Sequence, residues 1–93
     1  MNIRKAFAKA LKEVRNAKGL TQEDFSDVSG RTYMSSLERG LKSPTLDKVN
    51  DLATVLNVHP VTILIMAYTY AKKGESIEKL LKKVSNEVTN IKD

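Results

Sequence analysis

Arg31, Thr32, Tyr33, Ser35 and Ser36 crowd into six positions, and each carries a side chain suited to hydrogen bonding. A guanidinium donates in a planar fork, and hydroxyls donate or accept as the partner requires. Met34 and Leu37 lie among them as apolar anchors. A short helix that is polar outward and held from behind is built for presentation to an outside surface. In a small basic chain the leading candidate is the major groove of duplex DNA. Catalysis has no comparable support. The chain has no cysteine and one histidine, and it places no paired carboxylates in apolar surroundings. Nothing supplies a base and a nucleophile at workable spacing. No enzymatic activity, cofactor or metal site is expected. His59, directly before Pro60, reads as a helix-start residue.

The charge balance permits an anionic partner without proving one. The net charge is +5 and the isoelectric point is near 9.6. Residues 1–19 hold six basic groups against Glu13, whereas residues 20–44 hold three basic and four acidic groups. The excess therefore does not sit on the Arg31–Ser36 helix, and charge is a weak argument for what that helix touches. The absence of cysteine excludes disulfides and thiolate metal sites and fits a reducing compartment. No apolar run reaches membrane-spanning length, and the N-terminus has no signal-peptide core. A cytoplasmic protein without a membrane role is expected.

The elements that must position these residues read as a row of helices, with no strand pattern. Ile3, Phe7, Leu11 and Val14 form one face of a helix from Asn2 to Lys18, closed by Gly19. Thr21 and Asp24 have capping-box spacing, and Gln22 to Val28 reads as a short helix with Phe25 and Val28 inward. Gly30 marks a sharp turn into the third helix, which Gly40 stops. Thr45 is the expected cap of a fourth helix, with Leu46, Val49, Leu52, Ala53 and Leu56 inward. Asn57 suits a left-handed cap, and Pro60 opens a fifth helix that runs to Lys73.

The fifth helix carries more apolar surface than one domain face can use. A sixth, from Ser76 to Lys92, carries Ile77, Leu81, Val84, Val88 and Ile91 in a heptad seam of two repeats. Ninety-three residues make a marginal core, so a second copy would help. Ile65, Met66 and Tyr70, with that seam, are the expected interface of a homodimer. The division expected is a DNA-binding unit over residues 1–74 and a C-terminal dimerisation helix over 75–93.

Four stretches together resemble the phage repressor and Cro-like helix-turn-helix proteins, the XRE family. They are Leu20-Thr21-Gln22-Glu23, Arg31-Thr32-Tyr33-Met34-Ser35, Leu37-Glu38-Arg39-Gly40 and Ser43-Pro44-Thr45-Leu46. The resemblance covers roughly Phe7 to Leu64. It implies an all-α, five-helix repressor-like domain, here with an additional C-terminal helix. It also implies a dimeric transcriptional regulator that binds operators of two-fold symmetry. By position, it places base reading on Arg31, Thr32 and Ser36, with Arg31 principal, because a bidentate arginine–guanine contact is the commonest specific one. It places backbone contacts on Gln22, Tyr33, Ser35, Lys42 and Ser43. It pairs Arg15 with Glu38 as a structural lock between the first and third helices.

This chain departs from the family pattern in one place. Members commonly have two more residues between the second and third helices, whereas here Ser29-Gly30 leads straight into Arg31. The second helix or the turn must be shorter, with Val28 in place of the missing apolar turn residue. The family also includes controllers of restriction–modification systems and antitoxins. The alternative expectation is therefore an antitoxin-type protein that binds a protein toxin as well as its own operator.

Overall fold

A computed structural model describes residues 1–93. It is all-helical: α1 (Ile3–Ala17), a 3-10 turn (Gln22–Phe25), α2 (Arg31–Glu38), α3 (Leu46–Leu56), α4 (Pro60–Ala71) and α5 (Ile77–Lys92). Side-chain caps explain most of the starts. Asn2 Oδ1 accepts from the Lys5 N–H at 2.9 Å, Thr45 Oγ1 from the Lys48 N–H at 3.1 Å, and Ser76 Oγ from the Lys79 N–H at 3.1 Å. His59 caps α4 through Nδ1, which accepts from the Val61 N–H at 3.0 Å. Each bond satisfies a donor that the first helical turn leaves free. Asn57 ends α3 in the left-handed region at φ 57°, where its short polar side chain is tolerated. The axes of α3 and α4 then break by 109°. No single helix is long and apolar enough to cross a membrane.

The core joins four helices and the 3-10 turn. α1 contributes Phe7, Ala10, Leu11 and Val14, and α2 contributes Met34 and Leu37. α3 adds Val49, Leu52, Ala53 and Leu56, α4 adds Ile63 and Ala67, and Phe25 comes from the turn. Ala6, Ala10 and Ala67 are fully buried, and such small side chains let helix backbones approach closely. Burying a leucine or phenylalanine stabilises by roughly 1.5–3 kcal/mol, so this cluster is the main support of the fold. At its rim, Tyr70 Oη donates to Glu13 Oε2 at 2.6 Å, and Lys9 Nζ stands 4.2 Å over the Tyr70 ring. The bond to Glu13 holds the Tyr70 phenol above its ordinary range, with burial adding to the effect.

Three sequence expectations are corrected. Residues 22–28 do not form a helix. One 3-10 turn ends at Phe25, and the N–H groups of Val28 and Ser29 both return to the Phe25 carbonyl at 2.9 Å. With Phe25 sealed in the core and Gly30 already capping α2, too few residues remain for a second helical turn. Leu46 does not face inward but is 83 % exposed, and Ile3 is also exposed. Both begin their helices, where the apolar stripe runs past the opposing element. There they line an open apolar cleft with Phe7, Leu64 and Tyr68. α4 stops at Ala71 rather than Lys73. Met66 and Tyr70, expected at an interface with a second copy, are partly buried and also touch their own domain's core.

Gly40 is the turn position with least latitude. Its φ is +71°, and an added Cβ would stand 3.0 Å from Lys5 Cγ and 3.3 Å from Lys5 Cα on α1. Gly19 has a similar φ of +69° but open space around it. A side chain in the left-handed region costs about 1 kcal/mol. Gly19→Ala should cost about that much and Gly40→Ala about twice it. Urea midpoints of the two variants measure the difference, which is the crowding against α1.

Candidate nucleic-acid interface

α2 begins at Gly30, which offers no side chain at the cap, so its first N–H groups are left open outward. Arg31, Thr32, Ser35, Ser36 and Arg39 share one face of the helix by their spacing. With Gln22 they line a single open groove without any apolar side chain. Arg31 is 77 % exposed, and its only ion pair is with the exposed Glu23 at 3.4 Å. Such a surface pair is worth little and yields easily to a stronger partner. The groove therefore presents two guanidinium groups, three hydroxyls and one amide.

Most of the candidate residues meet here, but not all. Tyr33 lies off this face. Its ring sits near two ammonium groups, with Lys42 Nζ at 5.6 Å and Lys48 Nζ at 5.7 Å from its centroid. Lys42 thus stands beside Tyr33, outside the groove. Ser43 lies on the rim of the apolar cleft beside Pro44. Arg39 joins the groove without having been singled out in the sequence. Its signal was there: Thr32, Ser36 and Arg39 follow the helical spacing of four and three. Lys48 had no such signal, because its position near Tyr33 depends on tertiary structure.

The back of the groove is fixed by Glu38. Arg15 Nε donates to Glu38 Oε2 at 2.6 Å and Arg15 Nη2 to Oε1 at 2.8 Å. The third arm, Nη1, donates to the Leu20 carbonyl at 2.9 Å, and Gln22 Nε2 donates to Glu38 Oε1 at 3.2 Å. The side chains retain only 12 % and 4 % exposure. A forked guanidinium–carboxylate pair with its remaining groups satisfied is the geometry in which such a contact is strongest. The bond from Glu38 raises the Arg15 pKa further, against the opposing effect of burial. The pair neutralises charge behind the groove, so Arg31 and Arg39 supply its positive potential.

The residues presumed to form an interface with a second copy fall in two places. Ile65 lines an apolar hollow between α4 and α5 with Val61, Leu64, Tyr68, Leu80, Leu81 and Val84. Farther along α5, a second hollow with Val88 and Ile91 is lined by α5 residues alone.

Residues 11–63 match the helix-turn-helix family. The HTH-type transcriptional regulator y4dJ of Sinorhizobium fredii is 39 % identical over 66 residues, 69 % of this chain and 86 % of that protein. Control protein C.SmaI of Serratia marcescens is 37 % identical over 61 % of this chain and 70 % of its own length. Control protein C.BamHI of Bacillus amyloliquefaciens is 33 % identical over 68 % and 82 %, respectively. The family match ends within α4, and α5 lies outside it.

The ion pair behind the groove is testable without any ligand. Arg15→Met or Glu38→Gln alone should cost about 3 kcal/mol, because the survivor is left largely buried and poorly paired. The double variant should lose less than the sum by more than about 1 kcal/mol. Chemical denaturation of all four proteins gives the coupling, and strict additivity would show two independent side chains.

Proposed function

This chain belongs to the helix-turn-helix family of DNA-binding transcriptional regulators, XRE type, and on that premise we propose that α2 enters the major groove of an operator. The observation that carries this reading is the wholly polar groove of Gln22, Arg31, Thr32, Ser35, Ser36 and Arg39 on a helix pinned from behind. Arg31 reads a base edge, with Thr32 and Ser36 beside it. Gln22, Ser35 and Arg39 meet flanking phosphates, and Tyr33, Lys42 and Ser43 grip the backbone on the other side. Arg39 is an addition to the family-derived set.

The protein acts as a homodimer on a site of two-fold symmetry. The support is α5, a helix of 16 residues none of which is buried. An isolated helix of that length is marginal in water, so a second copy is the simplest cover for its seam. Ile77, Leu81, Val84 and Val88 are each 45–48 % exposed, and Ile91 is 84 % exposed. The partner surface is this seam with Val61 and Tyr68 of α4, which are also exposed. Two-fold pairing would set the two reading helices about 34 Å apart on one side of the duplex.

Selection of bound duplexes from random sequence tests class, symmetry and site together, since a palindromic motif requires all three. With a handful of phosphates neutralised per subunit, the slope of log K against log salt should be roughly −5 to −9. Arg31→Ala should relax preference at one base pair per half-site and cost about 1–3 kcal/mol per contact. Lys42→Ala should weaken all sequences alike.

Assembly is tested separately. Val88→Asp changes a residue in a hollow lined by α5 alone, so folding should be unaffected while sedimentation shifts toward monomer. Removing residues 75–93 should do the same. A variant as tightly dimeric as the full chain would place the interface elsewhere.

A further inference from the structure

The shortened turn leaves the first half of α2 with few restraints of its own. Its last turn is fixed by the Arg15–Glu38 pair, and Met34 and Leu37 anchor its middle. Ahead of it, the Ser29 N–H bonds the Phe25 carbonyl at 2.9 Å and the Gly30 carbonyl accepts from the Met34 N–H at 3.0 Å, but the one side-chain bond of these two residues is a long 3.4 Å contact from Ser29 Oγ to the Gly30 carbonyl. Arg31 and Thr32, which face the groove, stand on this end, whose backbone is bonded but which has no side-chain cap.

Lys48 reaches both sides of that junction. It stands in the first turn of α3, where Thr45 caps its own N–H at 3.1 Å, so its backbone is fixed. Its side chain is half-buried, and its ammonium donates to the Val28 carbonyl. No backbone N–H bonds that carbonyl, so Lys48 is its partner. The same ammonium lies 5.7 Å from the centre of the Tyr33 ring, and that of Lys42 lies 5.6 Å from it. A cation within about 6 Å of a ring is attracted to its face. One side chain thus holds the residue just before the turn and the third residue of α2. It spans the place where the family's usual extra turn residues are missing.

We propose that Lys48 is a positioning residue that fixes the first turn of α2, and so fixes which base edge Arg31 and Thr32 reach. This rests on the reading of α2 as the DNA-contacting helix. Lys48 itself need not touch the operator. Its effect is on discrimination, because a misplaced first turn misaligns a directional Arg31 contact while phosphate contacts tolerate small shifts.

The test compares full-length wild type, K48M and K48R on the selected operator and on an unrelated duplex of equal length. Methionine keeps the stem and removes the charge and donor. Arginine can restore both. K48M should lose about tenfold in the ratio of operator to unrelated affinity, the scale of one bidentate base contact. Its binding to unrelated DNA should change by less than about twofold, and K48R should recover most of the ratio. Equal losses on both duplexes, with a salt slope smaller by about one unit per subunit, would make Lys48 an ordinary phosphate contact and overturn the proposal. An unchanged ratio would also overturn it. If K48M does not melt cooperatively, K48A replaces it under the same criteria. If wild type shows no preferred sequence, the assignment of α2 fails and this proposal fails with it. A selective wild type with an equally selective K48M sinks this proposal alone.

Discussion

The proposed reading face depends on one contact, the fork of Arg15 on Glu38. Without it α2 has eight residues, two apolar anchors and no side-chain cap. A helix that short does not hold its own conformation in water. Arg15 supplies what the sequence near α2 lacks. It joins α2 to α1 through Glu38, and to the chain before the 3-10 turn through the Leu20 carbonyl. Gln22 closes the arrangement from the turn itself. Burying such a pair contributes little net stability against an apolar alternative. Its use is geometric: a bidentate pair fixes orientation, which two leucines would not.

The core and the ion pair divide the work. Apolar burial around Phe25, Leu11, Leu52 and Ile63 holds α1, α3 and α4 together. It is non-directional, and it leaves a short peripheral helix free to rock about Met34 and Leu37. Directional contacts at the two ends of α2 remove that freedom. Glu38 is held at the C-terminal end by a guanidinium, and the approach to the N-terminal end is held by the Lys48 ammonium on the Val28 carbonyl. The exposed Arg31–Glu23 pair adds almost nothing to this, so Arg31 is held by its backbone and stays available to a ligand.

Local signals were legible in the sequence, and signals that depend on neighbours were not. The cap Thr45, the helix-start His59 and the left-handed Asn57 act within a few residues of themselves, so sequence spacing reveals them. The place of α2 was legible because Gly30 and Gly40 bracket it. The loss of the second helix was only half legible. Spacing showed that residues were missing, but the burial of Phe25 decided that the helix, and not the turn, gave way. The outward position of Leu46 depends on where the facing helix ends. Periodicity within one helix carries no information about that. Arg39 could have been found by helical spacing from Thr32 and Ser36. Lys48 could not, since its partners lie 20 and 15 positions away in the chain.

The helix outside the family match bears on how rigid the proposed dimer is. A two-headed reader discriminates only if the spacing between its heads is fixed. In the proposed dimer that spacing runs from α5 and α4 through α1 to α2. The links from α4 to α2 each have a strong element. Ile63 and Ala67 seat α4 in the core against α1, and the Tyr70–Glu13 bond ties the same two helices at the rim. Arg15 then carries the position of α1 to α2. The α4–α5 junction is the soft link, an apolar hollow with no hydrogen bond across it. The only ion pair near it, Lys72–Glu75, lies within the connecting loop at 3.4 Å. A second copy that filled the hollow and covered Val88 and Ile91 would stiffen this link through burial alone. Dimerisation would then do more than double the number of contacts. It would convert a thinly packed C-terminal helix into a fixed spacer between two reading heads, and discrimination would depend on assembly as well as on α2.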